Sequence, residues 1–356
     1  MAQKTDGMNY APSGPANAVC RRGEFCVAAV GLDHGHIYGM CNGLVEAGAE
    51  ISLVYDADPA KVDQFRRVFP DARPARSEDE CLDDARVHLV ASAAIPSKRG
   101  ALGLRVMDRG KDFFSDKPPL TSLEQLRAAR DAVARTRRKF AVYYSERLHV
   151  EAAVFADRLI AAGAVGNVLH VAGFGPHRLN ASDRPPWFWD KRLSGGILCD
   201  LGCHQIEQFL HWTQAREATV AQARVRAQYE GHPGFEESGD AMLAAEGGAQ
   251  HYFLVHWHTP SGLSAWGDGR AFITGTDGSI ELRKYLDVGR ESAGDHVYLV
   301  DRKGEHHFSV HGKVGFPFFG RLLLDCLHRT ETAMTQEHAF LAIELALRAQ
   351  ALANGE

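Results

Sequence analysis

Residues 25–32 read FCVAAVGL, a nearly unbroken apolar run, which is the pattern of a strand covered on both faces of a parallel sheet. Behind it Ile37, Met40, Cys41 and Leu44 recur at helical spacing. The alternation then repeats. A strand at 51–55 ends on Asp56, and Pro59 opens the next helix. An apolar strand at 87–94 and further strands at 111–115 and 140–144 are separated by helices, one running through Met107 and one over 123–135. Strands and helices in turn, joined by short loops, predict an α/β unit with a doubly wound parallel sheet of the Rossmann type. After residue 147 the rhythm changes. A helix at 148–162 is followed by strands at 165–174, 219–229, 241–245, 251–258, 271–275 and 279–282, with turns such as GTDG at 275–278 between them. That order predicts an α+β domain built on a large, mainly antiparallel open sheet. Amphipathic helices at 316–328 and 336–350 close the chain, the last carrying Phe340, Ile343 and Leu347 on one stripe.

A length of 356 residues suits two domains. The expected boundaries are a flexible tail at 1–23, a dinucleotide-binding domain at 24–147, a substrate-binding and oligomerisation domain at 148–335, and a C-terminal helix at 336–356 packing back on the first domain. The tail is rich in Gly, Pro, Ala and polar residues and has no apolar stretch of signal-peptide length. A net charge of −5, from 40 Lys and Arg against 45 Asp and Glu, gives no general attraction to nucleic acid or anionic membrane. Small-molecule chemistry is favoured instead. Seven scattered cysteines argue for a reducing compartment rather than a disulfide framework. No run approaches the roughly 20 apolar residues of a membrane helix, so a cytoplasmic protein is expected.

Ligands of doubly wound sheets bind at the carboxyl ends of the strands. The first such end is Gly31, Leu32, Asp33, His34, Gly35, His36. A dinucleotide fingerprint reads G-x-G-x-x-G there, so that pyrophosphate can approach a helix N-terminus. This chain keeps Gly31 and has Asp33 and His36 in place of the other two glycines. Asp33 must turn away from a phosphate or bond backbone amides, and His34 or His36 could supply a compensating donor or cation. In the plainer alternative both histidines cap the helix or face solvent. A metal at H-x-H is disfavoured, because no acidic or Cys partner lies nearby in sequence.

Asp56 stands 25 residues after Gly31, at the end of the second strand. There a carboxylate accepts hydrogen bonds from adenosine ribose hydroxyls and repels a 2′-phosphate. With no arginine directly following, NAD is favoured over NADP. Residues 115–120 read SDKPPL, and the two prolines hold Lys117 in one direction at a strand end, where it could orient a hydroxyl. The alternative is a solvated lysine in a turn.

In the second domain, residues 195–207 read GGILCDLGCHQIE. Asp200 and His204 are four apart on the expected first turns of a helix, so they should share a face as an acid–base pair. Cys199 and Cys203 flank them; small buried residues are a simpler reading than zinc ligands. Upstream lies GPHRLNASDRPPWFWDK, where His177, Arg178, Trp187, Phe188 and Trp189 combine donors with flat apolar surface. Such a set suits a polyol, although Trp187 and Trp189 could equally pack as core. Arg147 and His149 could also face the crevice.

With these residues placed, the sequence resembles the glucose-fructose oxidoreductase, inositol dehydrogenase and MocA (Gfo/Idh/MocA) family of nucleotide-dependent oxidoreductases. The family's E-K-P element matches Asp116, Lys117 and Pro118, with Asp for Glu. Its G-G-G-x-x-x-D-x-G-x-H-x-x-D element matches residues 194–207, with Ser194 for the first Gly and Glu207 for the last Asp. The resemblance runs over residues 24–352. It implies a catalytic set of Lys117, Asp200 and His204, with His204 transferring the proton. Cofactor contacts are expected at Gly31, Asp33, His34, His36, Asp56, Ala94, Pro96, Asp116 and Lys117, and substrate contacts at Arg147, His177, Trp187 and Glu207, with no metal. A homodimer or homotetramer through the C-terminal sheet is implied as well. The expected activity is NAD-dependent oxidation of a sugar or polyol secondary alcohol, or the reverse. The alternatives are an NAD-retaining lyase or glycoside-cleaving enzyme that oxidises its sugar transiently, and a non-catalytic sugar-binding relative.

Overall fold

The structure is a computed structural model that describes residues 7–15 and 18–356. The described residues form two compact units, one of Met8–Tyr143 with Pro317–Phe340, the other of Gly7, Tyr144–Phe316 and Leu341–Glu356. The N-terminal unit runs β1 (Cys26–Val30), α1 (His36–Glu46), β2 (Glu50–Tyr55), α2 (Pro59–Val68), β3 (Arg73–Pro74), α3 (Glu78–Asp83), β4 (Val87–Ser92), α4 (Pro96–Asp108), β5 (Asp112–Asp116), α5 (Leu123–Thr136) and β6 (Phe140–Tyr143). Its strands are all parallel, in the order β3-β2-β1-β4-β5-β6. Every residue of β1 and β5 is buried, as expected of strands covered by helices on both faces; in β1 the run is wholly apolar, whereas β5 carries Asp112, Ser115 and Asp116. The strand order reverses between β1 and β4, so the topological switch point lies at their carboxyl ends. Of the expected tail at 1–23, residues 1–6, 16 and 17 lie outside the described residues. The described part includes a 3-10 turn at Gly7–Asn9 and a bond from Val19 N to Ala47 O of 2.9 Å.

The chain continues with α6 (Ser145–Leu148), α7 (Glu151–Ala161), β7 (Val168–Pro176), α8 (Lys191–Ser194), α9 (Cys203–Thr213), β8 (Ala218–Arg226), β9 (Ser238–Ala245), β10 (Gln250–His256), β11 (Arg270–Gly275), β12 (Ser279–Arg283), β13 (His296–Asp301), β14 (Gly304–Ser309), α10 (Pro317–His328) and α11 (Gln336–Asn354). The C-terminal unit's sheet has eight strands in the order β14-β13-β12-β11-β7-β10-β9-β8. All neighbours are antiparallel except β7 with β10. β13 is not among the predicted strands, and β14 carries His306 and His307. Burial alternates along β9 and β10, so one face is covered and the other open. The covered face receives α9. In β7 a Cβ at Gly173 would collide with Gln205 Oε1, so this glycine lets α9 lie close. No helix among the described residues is long and apolar enough to cross a membrane.

Under α9, His251 of β10 stacks on Phe209 at 4.9 Å, and its Nδ1–H donates to Val171 O at 2.9 Å. Burial pushes its imidazole down to about 4, against the raising effect of backbone hydrogen bonds. The unfolded chain therefore binds a proton that the folded one refuses between pH 6.5 and about 4. Stability should be full above pH 6.5 and fall by roughly 3 kcal/mol across that window. His251→Phe should flatten this slope. Denaturant titrations at pH 7.5 and 4.5 check it: an unchanged difference between the two pH values would clear His251 of the effect.

Candidate active site

In the N-terminal unit Gly31 has φ +73°, and a Cβ there would sit 2.7 Å from Ala94 Cβ. Only glycine permits both the left-handed turn and this approach. Gly31 N bonds Tyr55 O at 3.0 Å, and Gly31 O accepts from Ala93 N at 3.1 Å. The loop is thereby tied to the ends of β2 and β4. Asp33 resolves its conflict with a phosphate by turning away. Its Oδ2 accepts from Ile95 N at 3.1 Å, and its Oδ1 faces Lys61 Nζ at 2.5 Å. Lys61 comes from α2, and nothing in the sequence pattern singles it out. Asp56 accepts from Leu32 N at 2.7 Å and Asp58 N at 2.9 Å, with Lys61 Nζ 3.8 Å away.

Both histidines of the loop are buried, so neither faces solvent. His36 Nδ1–H donates to Asp116 Oδ1 at 2.8 Å. His34 Nδ1 accepts from His36 N at 3.2 Å and lies 3.3 Å from Asp116. Burial, then the neighbouring His36, pushes the His34 imidazole well below 6.5. It is neutral at physiological pH, so its approach to Asp116 is proximity and not an ion pair. Burial pushes the Asp116 carboxyl up, but His36 and Arg99 outweigh it and hold it well below the usual range. Asp116 also accepts from Arg99 Nη2 at 3.0 Å and from Lys117 N at 2.8 Å. The acidic partner missing near H-x-H in sequence therefore arrives from β5, and the three side chains converge closely enough for a metal. Arg99 already supplies the positive charge on that carboxylate, so the cluster reads as an ion-pair network. Asp116 braces the loop through His36, with Lys117 buried next to it. Ala94 O accepts from Arg99 Nε at 2.6 Å, and Pro96 opens α4.

In the C-terminal unit the 195–207 stretch departs from the expected regular helix. A π turn at Leu198–Gly202 runs into α9. Such turns are frequent at functional sites. Asp200 lines an aromatic pocket, and His204 is buried with its ring edge-on to Tyr144 at 6.4 Å. Cys199 and Cys203 are buried, and burial raises the Cys199 thiol; they pack as small residues.

Glu207 and Arg147, expected to contact substrate, face each other. Arg147 Nε lies 2.9 Å from both Glu207 oxygens, Nη2 bonds Oε1, and Nη1 bonds Asp157 Oδ2 at 3.1 Å. The longer Glu207 side chain ends on a guanidinium. His149 is wholly buried, edge-on to Phe316 at 4.3 Å. His177 donates from Nδ1 to Gly175 O at 3.1 Å, and its Nε2 is 3.9 Å from Glu146 Oε1. Glu146 was not anticipated. Its Oε2 accepts from Lys284 Nζ and Gln205 Nε2, each at 2.8 Å. Burial raises this carboxyl, but Lys284, His204 and His177 together bring it to about 2. Lys284 was missed too; it lies 138 residues away in sequence, and only the sheet topology brings the two together. Of the aromatic cluster, Phe188 is core, Trp187 is half-buried against it, and Trp189 stacks flat on His232 at 3.6 Å.

A family model described as the GFO/IDH/MocA C-terminal domain matches residues 154–281. A solved candidate oxidoreductase from Erwinia carotovora atroseptica SCRI1043 is 49% identical, with a TM-score of 0.89, covering 93% of this chain and 99% of that one. The chain belongs to the Gfo/Idh/MocA family of oxidoreductases. Among curated Gfo/Idh/MocA-like relatives, the D-xylose dehydrogenase of Paenarthrobacter nicotinovorans is 26% identical over 61% of this chain and 57% of its own length. The scyllo-inositol 2-dehydrogenase (NAD(+)) of Bacillus subtilis (strain 168) is 27% identical over 72% of this chain and 71% of its own. For a Gfo/Idh/MocA member, this chain departs from the pattern in its first loop, where Asp33 is held by Ile95 N and Lys61 and His36 bonds Asp116.

Proposed function

We propose that this protein is an NAD-dependent oxidoreductase that moves hydride between nicotinamide and a secondary alcohol of a sugar or polyol. The switch point of the parallel sheet supports this most. There Gly31 clears the turn, Asp33 is drawn aside by Ile95 N and Lys61, and Asp56 closes β2. Each Asp56 oxygen accepts one backbone N–H and keeps a second lone pair for a ribose hydroxyl. When bound, the nicotinamide supplies hydride exchange at its ring. His204 takes the alcohol proton, Lys117 orients the same oxygen and stabilises negative charge on it, and Asp200 bonds the substrate beside it. The polyol class is supported by the names of the xylose and inositol dehydrogenases. A second copy of the chain is favoured on the open sheet face, where exposed Met242, Tyr252 and Phe272 line up through Ala172.

NAD should bind about tenfold or more tightly than NADP, since a like-charge penalty of about 1.4 kcal/mol suffices. Asp56→Ser should narrow the gap, because Lys61 then faces the ribose beside one carboxylate fewer. Calorimetric titration with both nucleotides measures this, and equal wild-type affinities would remove the role given to Asp56. Absorbance of reduced nicotinamide across a sugar panel tests the reaction itself: sugar turnover without net NADH would favour the NAD-retaining lyase.

A further inference from the structure

Residues 8–14, part of the tail expected to be flexible, lie along α1 within the N-terminal unit. Gly35, the N-cap of α1, has φ −62° and ψ −15°, a conformation open to any residue, so its backbone does not call for glycine. Space does. A Cβ at Gly35 would collide with Met8 O and stand 2.8 Å from Asn9 Oδ1, and one at Gly39 would stand 2.8 Å from Tyr10 O and 3.0 Å from Tyr143 Oη. Glycine weakens a helix interior relative to alanine, and here the absent side chains leave a groove that the segment fills. Further along, Asn42 Nδ2 donates to Ser13 Oγ at 3.4 Å, and Ser13 and Gly14 donate to the Glu46 carboxylate. Contacts at 35, 39, 42 and 46 mark one face of the helix. The lengths agree as well. From Gly39 to Glu46 the helix rises about 11 Å, and Tyr10 to Gly14 in extended chain covers about 12 Å. Pro12 and Pro15 withhold their N–H groups, which keeps this stretch on the helix and out of sheet pairing.

The segment starts where a nucleotide would be held. Gly35 belongs to the loop behind β1, and the N–H groups that open the following helix are the seat of a pyrophosphate in a doubly wound sheet. Tyr10 O and Tyr143 Oη meet over Gly39, and Tyr143 ends β6, so the segment runs beside the carboxyl ends of the strands. We propose that residues 8–14 form a strap that gates nucleotide exchange, NAD entering and leaving the 31–36 loop only when the strap lifts off α1. The ligand in this proposal rests on the NAD reading, while the strap's seat stands on the two glycines and on the bonds to Asn42 and Glu46. Its hold is light. The described strap residues are half-buried or exposed and belong to no strand or long helix, so it can open without disturbing the sheet.

The test uses the full chain and stopped-flow fluorescence of NADH, read as association and as dissociation into excess NAD. Ser13→Cys with Asn42→Cys puts two thiols where these side chains already meet, and oxidation then ties the strap down. Both rates should fall about tenfold or more and recover on reduction; wild type under the same oxidant is the control for its seven native cysteines. Gly39→Ala works in the opposite sense. It favours the helix but sets a methyl group against Tyr10 O, so the strap is pushed off and both rates should rise about tenfold. Wild-type rates in the oxidised double variant, its disulfide verified by mass, would overturn the gate; if the disulfide does not close, Gly39→Ala decides alone. A change confined to one of the two rates would overturn it too, since the strap would then compete with the nucleotide or clasp it. NADH binding with unaltered rates removes the gate and leaves the NAD reading, whereas no NADH binding by any form removes both.

Discussion

His204→Ala should lower turnover by about 100-fold to 10,000-fold, the usual worth of one positioned proton-transfer group, while NAD binds as before. The two effects separate because the residues are placed in different units. His204 sits on α9, buried beside Tyr144, and the groups proposed for the nucleotide, Gly31 and Asp56, belong to β1, β2 and the turns behind them. Lys117→Ala is the informative companion. If Lys117 orients the alcohol, the rate falls further than nucleotide affinity does; a loss confined to affinity would mean it serves the nucleotide alone. Steady-state kinetics paired with NAD calorimetry on both variants decides, and unchanged turnover in His204→Ala would end its assignment as the acid–base group.

What the sequence made legible follows the range of the interactions involved. The parallel sheet was readable because a strand covered on both faces must be apolar throughout, and FCVAAVGL has almost no other reading. Asp33 was readable as a problem, since a carboxylate at that turn has only two ways out, and the structure shows it taking one on Ile95 N. The π turn at Leu198–Gly202 was not readable. It adds one residue to a hydrogen-bond ring without disturbing composition, so nothing in the sequence marks it. The His36–Asp116 and Glu146–Lys284 pairs span 80 and 138 residues, and no local pattern marks either partner. The charged residues that organise the site most firmly are therefore the ones periodicity cannot find.

The Arg147–Glu207 pair turns that last point into a measurement. Glu207 matches the position where the family pattern has Asp, which suggests a substrate contact, yet its carboxylate is wholly buried and accepts the Arg147 guanidinium at both oxygens. Arg147 also reaches Asp157, which accepts from Trp212 Nε1 at 2.8 Å. Arg147→Met would strand the buried Glu207 carboxylate and take one of several partners from Asp157, and breaking one side of a buried pair typically costs about 3–5 kcal/mol. Glu207→Gln should cost a comparable amount, less whatever the amide recovers as an acceptor. Replacing both partners by apolar groups, Arg147→Met with Glu207→Leu, should restore much of the loss, because neither charge is then left without its counter-ion. Denaturant unfolding of the full chain, followed through the transition that carries the C-terminal unit's tryptophans, reads these differences. A substrate-binding Glu207 predicts the opposite split: KM rises in Glu207→Gln, the unfolding midpoint stays put, and the double variant gains nothing over either single one.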